Sequence, residues 1–174
     1  PWEKEPASDG RAAVSREMPT CEEDVVGTLA DLLEQRLNYL RADGESFFDA
    51  VQNAKVVRDA EQYYRVMYYG SRESWNLRDR HMFATLQAVL KFRGDGAKAV
   101  VWAHNSHVGN AAATEMGLRG ELNIGQLAKE EYGRHAYAIG FGTDHGTVAA
   151  TSNWDEPVAF QTVRPSHEDS YERL

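Results

Sequence analysis

Two imidazoles stand three residues apart in "WAHNSHVG", residues 102–109, directly after an apolar run. Imidazole changes charge near neutral pH and can donate, accept or shuttle a proton. His104 and His107 are therefore candidates for acid/base work, or for donating to an oxygen that gains charge during a reaction. The bland alternative is one histidine hydrogen-bonded in a core and the other in solvent, and the pair alone does not separate the two. A second constellation is "NLRDRHM", residues 76–82, where Arg78, Asp79, Arg80 and His81 crowd what reads as the first turn of a long helix. A guanidinium fixed there can bind a carboxylate or a polarised oxygen. Against it stands a solvated, charge-paired helix start, with Asp79 favoured by the positive end of the helix dipole.

Other chemistries lack their residues. The H-x-x-H pair could hold a metal, yet the nearest carboxylate is Glu115 and the helical H-E-x-x-H pattern is missing, so no metal and no cofactor is expected. "AIGFGTDHG" contains Gly140 and Gly142 without the third, helix-opening glycine of a dinucleotide site. Neither Ser106 nor Ser152 sits in a G-x-S-x-G elbow. Cys21, the one cysteine, excludes an internal disulfide framework and reads as structural in a reducing, cytoplasmic setting.

The elements that must position these residues follow from periodicity. Residues 1–19 carry Pro1, Pro6, Pro19 and Gly10 without a sustained period and read as a linker or interrupted loop. From Thr20, Val25, Val26, Leu29, Leu32, Leu33, Leu37 and Leu40 share one helical face. Thr20 with Glu23 reads as a capping box and Asp43–Gly44 as a stop. A second helix runs from Glu45 to Gly70. A third, capped by Ser74 or Asn76, turns Met82, Phe83, Leu86, Val89 and Leu90 inward. "AKAVVWAH" then reads as a buried strand, Ala99–Ala103, with His104 at its carboxyl end, where α/β proteins place function. A short helix, "NIGQLAKEEYG", precedes the strand-like runs "HAYAIGFGT" and "GTVAATSNW". "EPVAFQTVRP" reads as an edge strand and "SHEDSYERL" as the start of a helix. Helices first and strands later predict a three-layer α/β fold with a mainly parallel sheet.

Composition limits the partners. The 174 residues suffice for one domain with a core. A net charge of −8 argues against a nucleic-acid surface, which needs clustered Lys and Arg. No apolar run approaches the ~20 residues of a membrane span, and oligomeric state is not legible. The first residues, "PWEKEP", begin without Met and read as cut from a longer chain.

"SWNLRDRHM", "KAVVWAHNSHVG", "NIGQLAKEEYG", "YAIGFGTDHGTVAA" and "NWDEP" occur in that order, and together they resemble the erythromycin esterase family from about Asp24 to Leu174. The resemblance implies hydrolysis of an ester or lactone, as in macrolide antibiotic resistance, without a metal cofactor. It implies that His104 and His107 match the family's paired histidines in the active-site cleft, and that Arg78 and Asp79 match its Arg–Asp pair, with Arg78 facing the cleft. Gly125 falls on the glycine of a short helix motif, and Gly140 and Phe141 on a strand near the cleft. The family's proposed base is a histidine in a "G-E-x-x-H-G" element, which this sequence lacks; "GESFFD" at residues 44–49 shares two letters and has no histidine. Family members are roughly twice this length, so residues 20–174 read as the C-terminal portion of a longer parent, inactive alone.

The expected function is hydrolysis of a bulky small-molecule ester or lactone. His104, His107 and Arg78 are the catalytic candidates, and Asp79, Trp102, Asn105 and Phe141 the substrate-binding ones. Tyr137 joins Trp102 and Phe141 in an expected apolar lining. Two rivals stand: a non-catalytic binding or regulatory domain on the same scaffold, and a metal-dependent hydrolase built on His104, His107 and Glu115.

Overall fold

The computed structural model describes residues 22–68, 70–153 and 156–173. The expected linker and the Thr20 cap lie outside them, as do the side chains of Leu37 and Leu40. The chain divides into two compact units, Pro1–Ala138 and Ile139–Leu174.

The first unit begins with helices α1, Glu22–Glu34, and α2, Arg36–Val66. The expected stop at Asp43 is a kink within α2, with extended backbone at φ −161° and ψ 102°. The Asp43 carboxylate there accepts from the Ser46 hydroxyl and from the Ser46 and Glu45 amides. These bonds cap the following turns and hold its carboxyl below the usual range. Helix α3 spans Ser71–Arg93 and ends at Gly94, whose φ of 86° suits glycine. Ser74 and Asn76 do not cap it: α3 starts earlier, after Gly70. Residues 78–81 therefore lie in the third turn, where the dipole's end has faded.

Helices α2 and α3 pack together through a Phe48–Phe92 ring stack and a His81–Asp59 hydrogen bond of 2.6 Å. The short helices α4, Asn105–Val108, and α5, Glu115–Leu118, follow. Then comes α6, Ile124–Tyr132, which closes with Gly133. It packs against α3, where Phe83 meets Tyr132. Buried apolar side chains in this unit are Leu29, Val51, Ala111, Leu122 and Ile124.

The expected buried strand at 99–103 is a correction. Among the described residues this run joins no ladder, and Val100 and Trp102 are 92% and 86% exposed. The apolar sequence is strand-like, but no described strand is hydrogen-bonded to it. "HAYAIGFGT" joins no ladder either.

The second unit carries the described sheet, two antiparallel strands, β1 (Gly146–Ala150) and β2 (Ala159–Val163), with Gly146 opposite Val163. β2 is the expected edge strand. Asp144 ties the preceding turn to the C-terminal segment. Its backbone oxygen accepts from the Ser166 amide at 3.0 Å, and its carboxylate accepts from the Ser166 hydroxyl and from His145. Those bonds hold the Asp144 carboxyl below its ordinary value. The expected final helix is a single 3₁₀ turn, Tyr171–Arg173. The fold is thus α/β with helices preceding the strands, and a three-layer parallel sheet is not shown among the described residues.

Candidate functional site

The site grows from the amino-terminal half of α3. Trp75, Arg78 and Asp79 stand three and four residues apart, so one helical face presents all three. That face meets the segment after α5. The Trp75 indole N–H donates to the Leu122 carbonyl at 2.7 Å. The Asn76 amide donates to the Gly120 carbonyl and accepts from the Leu122 N–H, each at 2.9 Å. These bonds deliver the start of α6 to Asp79, whose Oδ1 accepts from the Ile124 N–H at 3.1 Å.

Asp79 is fully buried, at 0% exposure. A carboxylate removed from water persists only when hydrogen-bonded and paired. His107 Nδ1 lies 2.9 Å and 3.1 Å from its two oxygens. A carboxylate only accepts, so the bond assigns the proton of neutral His107 to Nδ1. Its Nε2 then carries the lone pair, and Arg78 Nη2 stands 3.4 Å from it. Trp75 fixes the ring plane by stacking on it, with centroids 4.6 Å apart and planes 7° apart. The Arg78 guanidinium also lies over Trp75, 4.7 Å from the ring centroid. Arg78 Nε is buried without a hydrogen-bond partner.

His104 occupies a different environment. It is the exposed N-cap of α4, and its Nδ1 accepts from the Ser106 N–H at 3.2 Å and lies 2.9 Å from the Ser106 hydroxyl. An accepting Nδ1 leaves the proton of the neutral ring on Nε2. The two histidines thus hold opposite tautomers. His104 presents a donor to solvent, while His107 presents a basic nitrogen to Arg78.

The structure therefore joins three expected residues, Arg78, Asp79 and His107, in direct contact. Asp79 has no exposed surface to offer a substrate; its carboxylate faces His107 and the Ile124 amide. His104 Nδ1 is engaged by Ser106 alone among the described side-chain bonds. Asn105, with Ser106, Thr114, Glu115 and Arg119, lines a hollow of about 400 Å³ beside α4. Trp102 and Tyr137 are exposed in the first unit and Phe141 in the second; the expected common lining is not shown. Both ring nitrogens of His107 face protein groups, and exposed Glu115 pairs with Arg119 at 3.7 Å, so the metal-binding rival has no assembled ligand set among the described residues. No described helix is long and apolar enough to cross a membrane.

Trp75, Asn76 and Asn123 were absent from the candidates read from sequence. Asn123 had one local signal, an amide-bearing residue just before a helical period. No solved structure matches the chain. The erythromycin esterase family model matches residues 1–174, the whole chain, and the protein belongs to that family.

Proposed function

We propose that the protein is a hydrolase of the erythromycin esterase type, cleaving an ester or lactone in a bulky, macrolide-like small molecule. One observation carries the reading: a buried carboxylate, Asp79, fixes the tautomer and plane of His107 beside an arginine. A histidine so backed can relay to the leaving alkoxide the proton that a separate base takes from water. Arg78 adds positive charge where the carbonyl oxygen becomes an oxyanion. His104, with its proton on Nε2, is the complementary donor.

The base that activates water lies outside these residues in this reading, on a Gly-Glu-x-x-His-Gly element of a longer polypeptide. That polypeptide also completes a parallel sheet on the strand-like runs 99–103 and 135–143. The proposed setting is cytoplasmic, and the proposed partner is the substrate alone.

The test is a hydrolysis screen of macrolides and simple esters, read by mass spectrometry as the gain of one water. A polypeptide extended upstream to include the element is expected to turn substrate over, and the 174-residue chain is not. Turnover by the 174-residue chain alone would show that the missing base is dispensable. No turnover by either would overturn the hydrolase reading in favour of a binding domain.

A further inference from the structure

His107 is held by more than the groups that touch its ring. Asn123 is 1% exposed and uses both ends of its amide. Its Oδ1 accepts from the Gln126 N–H at 2.8 Å, the ordinary N-cap bond of α6, and from the Ala111 N–H at 3.4 Å. Its Nδ2 donates to the Ser106 carbonyl at 2.8 Å. That carbonyl belongs to the peptide that leads into His107. The next residue, Ile124, supplies the amide that binds Asp79. One dipeptide therefore grips both members of the Asp79–His107 pair. Gly125 allows the grip, because a Cβ there would run into the carbonyls of Val108 and Gly109.

Capping does not explain the choice of residue. Ser, Asp and Asn cap a helix about equally well. Of the three, asparagine alone combines the capping oxygen with an N–H donor that reaches the Ser106 carbonyl. We propose that Asn123 is a positioning residue for His107: its amide fixes the peptide from which the imidazole projects, keeping Nδ1 on Asp79 and Nε2 toward Arg78. The effect on turnover rests on the hydrolase reading, whereas the effect on the ring does not.

Asn123→Ser and Asn123→Asp both keep a capping oxygen and lose the donor. The readout is NMR of the ring nitrogens in the 174-residue chain with ¹⁵N-labelled histidine. The native protein is expected to show His107 as one tautomer, protonated at Nδ1. The variants, checked for helix content by circular dichroism, are expected to show mixed tautomers at His107. The His81 ring, held by Asp59, should keep its spectrum. In a hydrolytically active longer polypeptide, kcat should fall by about tenfold to a hundredfold with KM little changed, the cost of misplacing a reacting group. Two results overturn the proposal. One is a native His107 that already samples both tautomers, which needs no variant to fold. The other is a folded Asn123→Ser protein whose His107 spectrum is native. Absence of hydrolysis with the ring effect present would sink the hydrolase reading and leave the positioning role standing.

Discussion

At the scale of the residue, the site depends on a carboxylate that never meets solvent. Asp79→Asn keeps the shape and removes the charge, so the amide can offer either its oxygen or its N–H₂ to His107 Nδ1. In an active polypeptide its kcat is expected to fall by about a hundredfold or more, as should those of His107→Ala and His104→Ala, the range of general acid/base groups. Steady-state kinetics on a hydrolysed ester checks this, and native rates in the histidine variants would remove both from catalysis. Part of this site was legible. Paired histidines, an arginine and an acid are residue types that do chemistry wherever they lie. Their division of labour was not legible, because it is set by a contact spanning 28 residues between Asp79 and His107. Trp75 and Asn76 reach 47 and 44 residues along the chain to find their partners. Nothing near them in sequence marks that destination.

At the scale of the element, the helices were read well and their ends less so. Apolar periods located α3 and α6 and the helical character of residues 22–66, since one buried face suffices to show a helix. The first helix read from them, however, breaks at Gln35, and its remainder continues through the Asp43 kink as α2. Boundaries depend on single caps, and the early start of α3 at Ser71 carried Arg78 to His81 inward from the dipole's end. That shift puts His81 against α2 instead of solvent. Asp59 bridges Arg58 and His81 at 2.6 Å each. Burial would push the Asp59 carboxyl up, but hydrogen bonds from Arg58 and His81, with their charges, outweigh it and hold the carboxyl below its ordinary value. A carboxyl lowered on folding stabilises the fold when ionised. Its contribution is complete above the unfolded-state pKa and is lost as pH falls through the lower folded value. Asp59→Asn is therefore expected to lower stability by about 1.5–3 kcal/mol at neutral pH, the worth of hydrogen bonds to a charged group. The difference from the native protein should close below pH of about 4. Urea unfolding of both proteins across that range measures it, and a pH-independent gap would show that the bridge is not what joins α2 to α3.

At the scale of the whole molecule, the sheet is where sequence and structure part. An apolar, β-branched run such as "AKAVVWA" specifies a strand that wants cover on both faces, but it does not name its neighbours. Helical hydrogen bonds close within a few residues, whereas a strand's partners are remote, so a run can be strand-like and still join no ladder. Residues 99–103 are in that state among the described residues, with Val100 and Trp102 turned to solvent. Tyr137 and Ile139 are exposed in the second such run. Exposed apolar, strand-like runs of this kind are templates for pairing with another chain. The 174-residue protein is therefore expected to self-associate with rising concentration, seen as a growing weight-average sedimentation coefficient. Val100→Lys and Trp102→Lys should suppress that growth, because a charged ammonium resists burial between strands. Val100 is not among the groups that hold the Asp79–His107 contact, so in Val100→Lys the ring spectrum of His107 should be unchanged while association falls. A protein that sediments as a monomer at every concentration would mean that these runs are tolerated in water as they stand. Association that persists in both variants would place the sticky surface elsewhere, with the exposed Phe160 of β2 the next candidate.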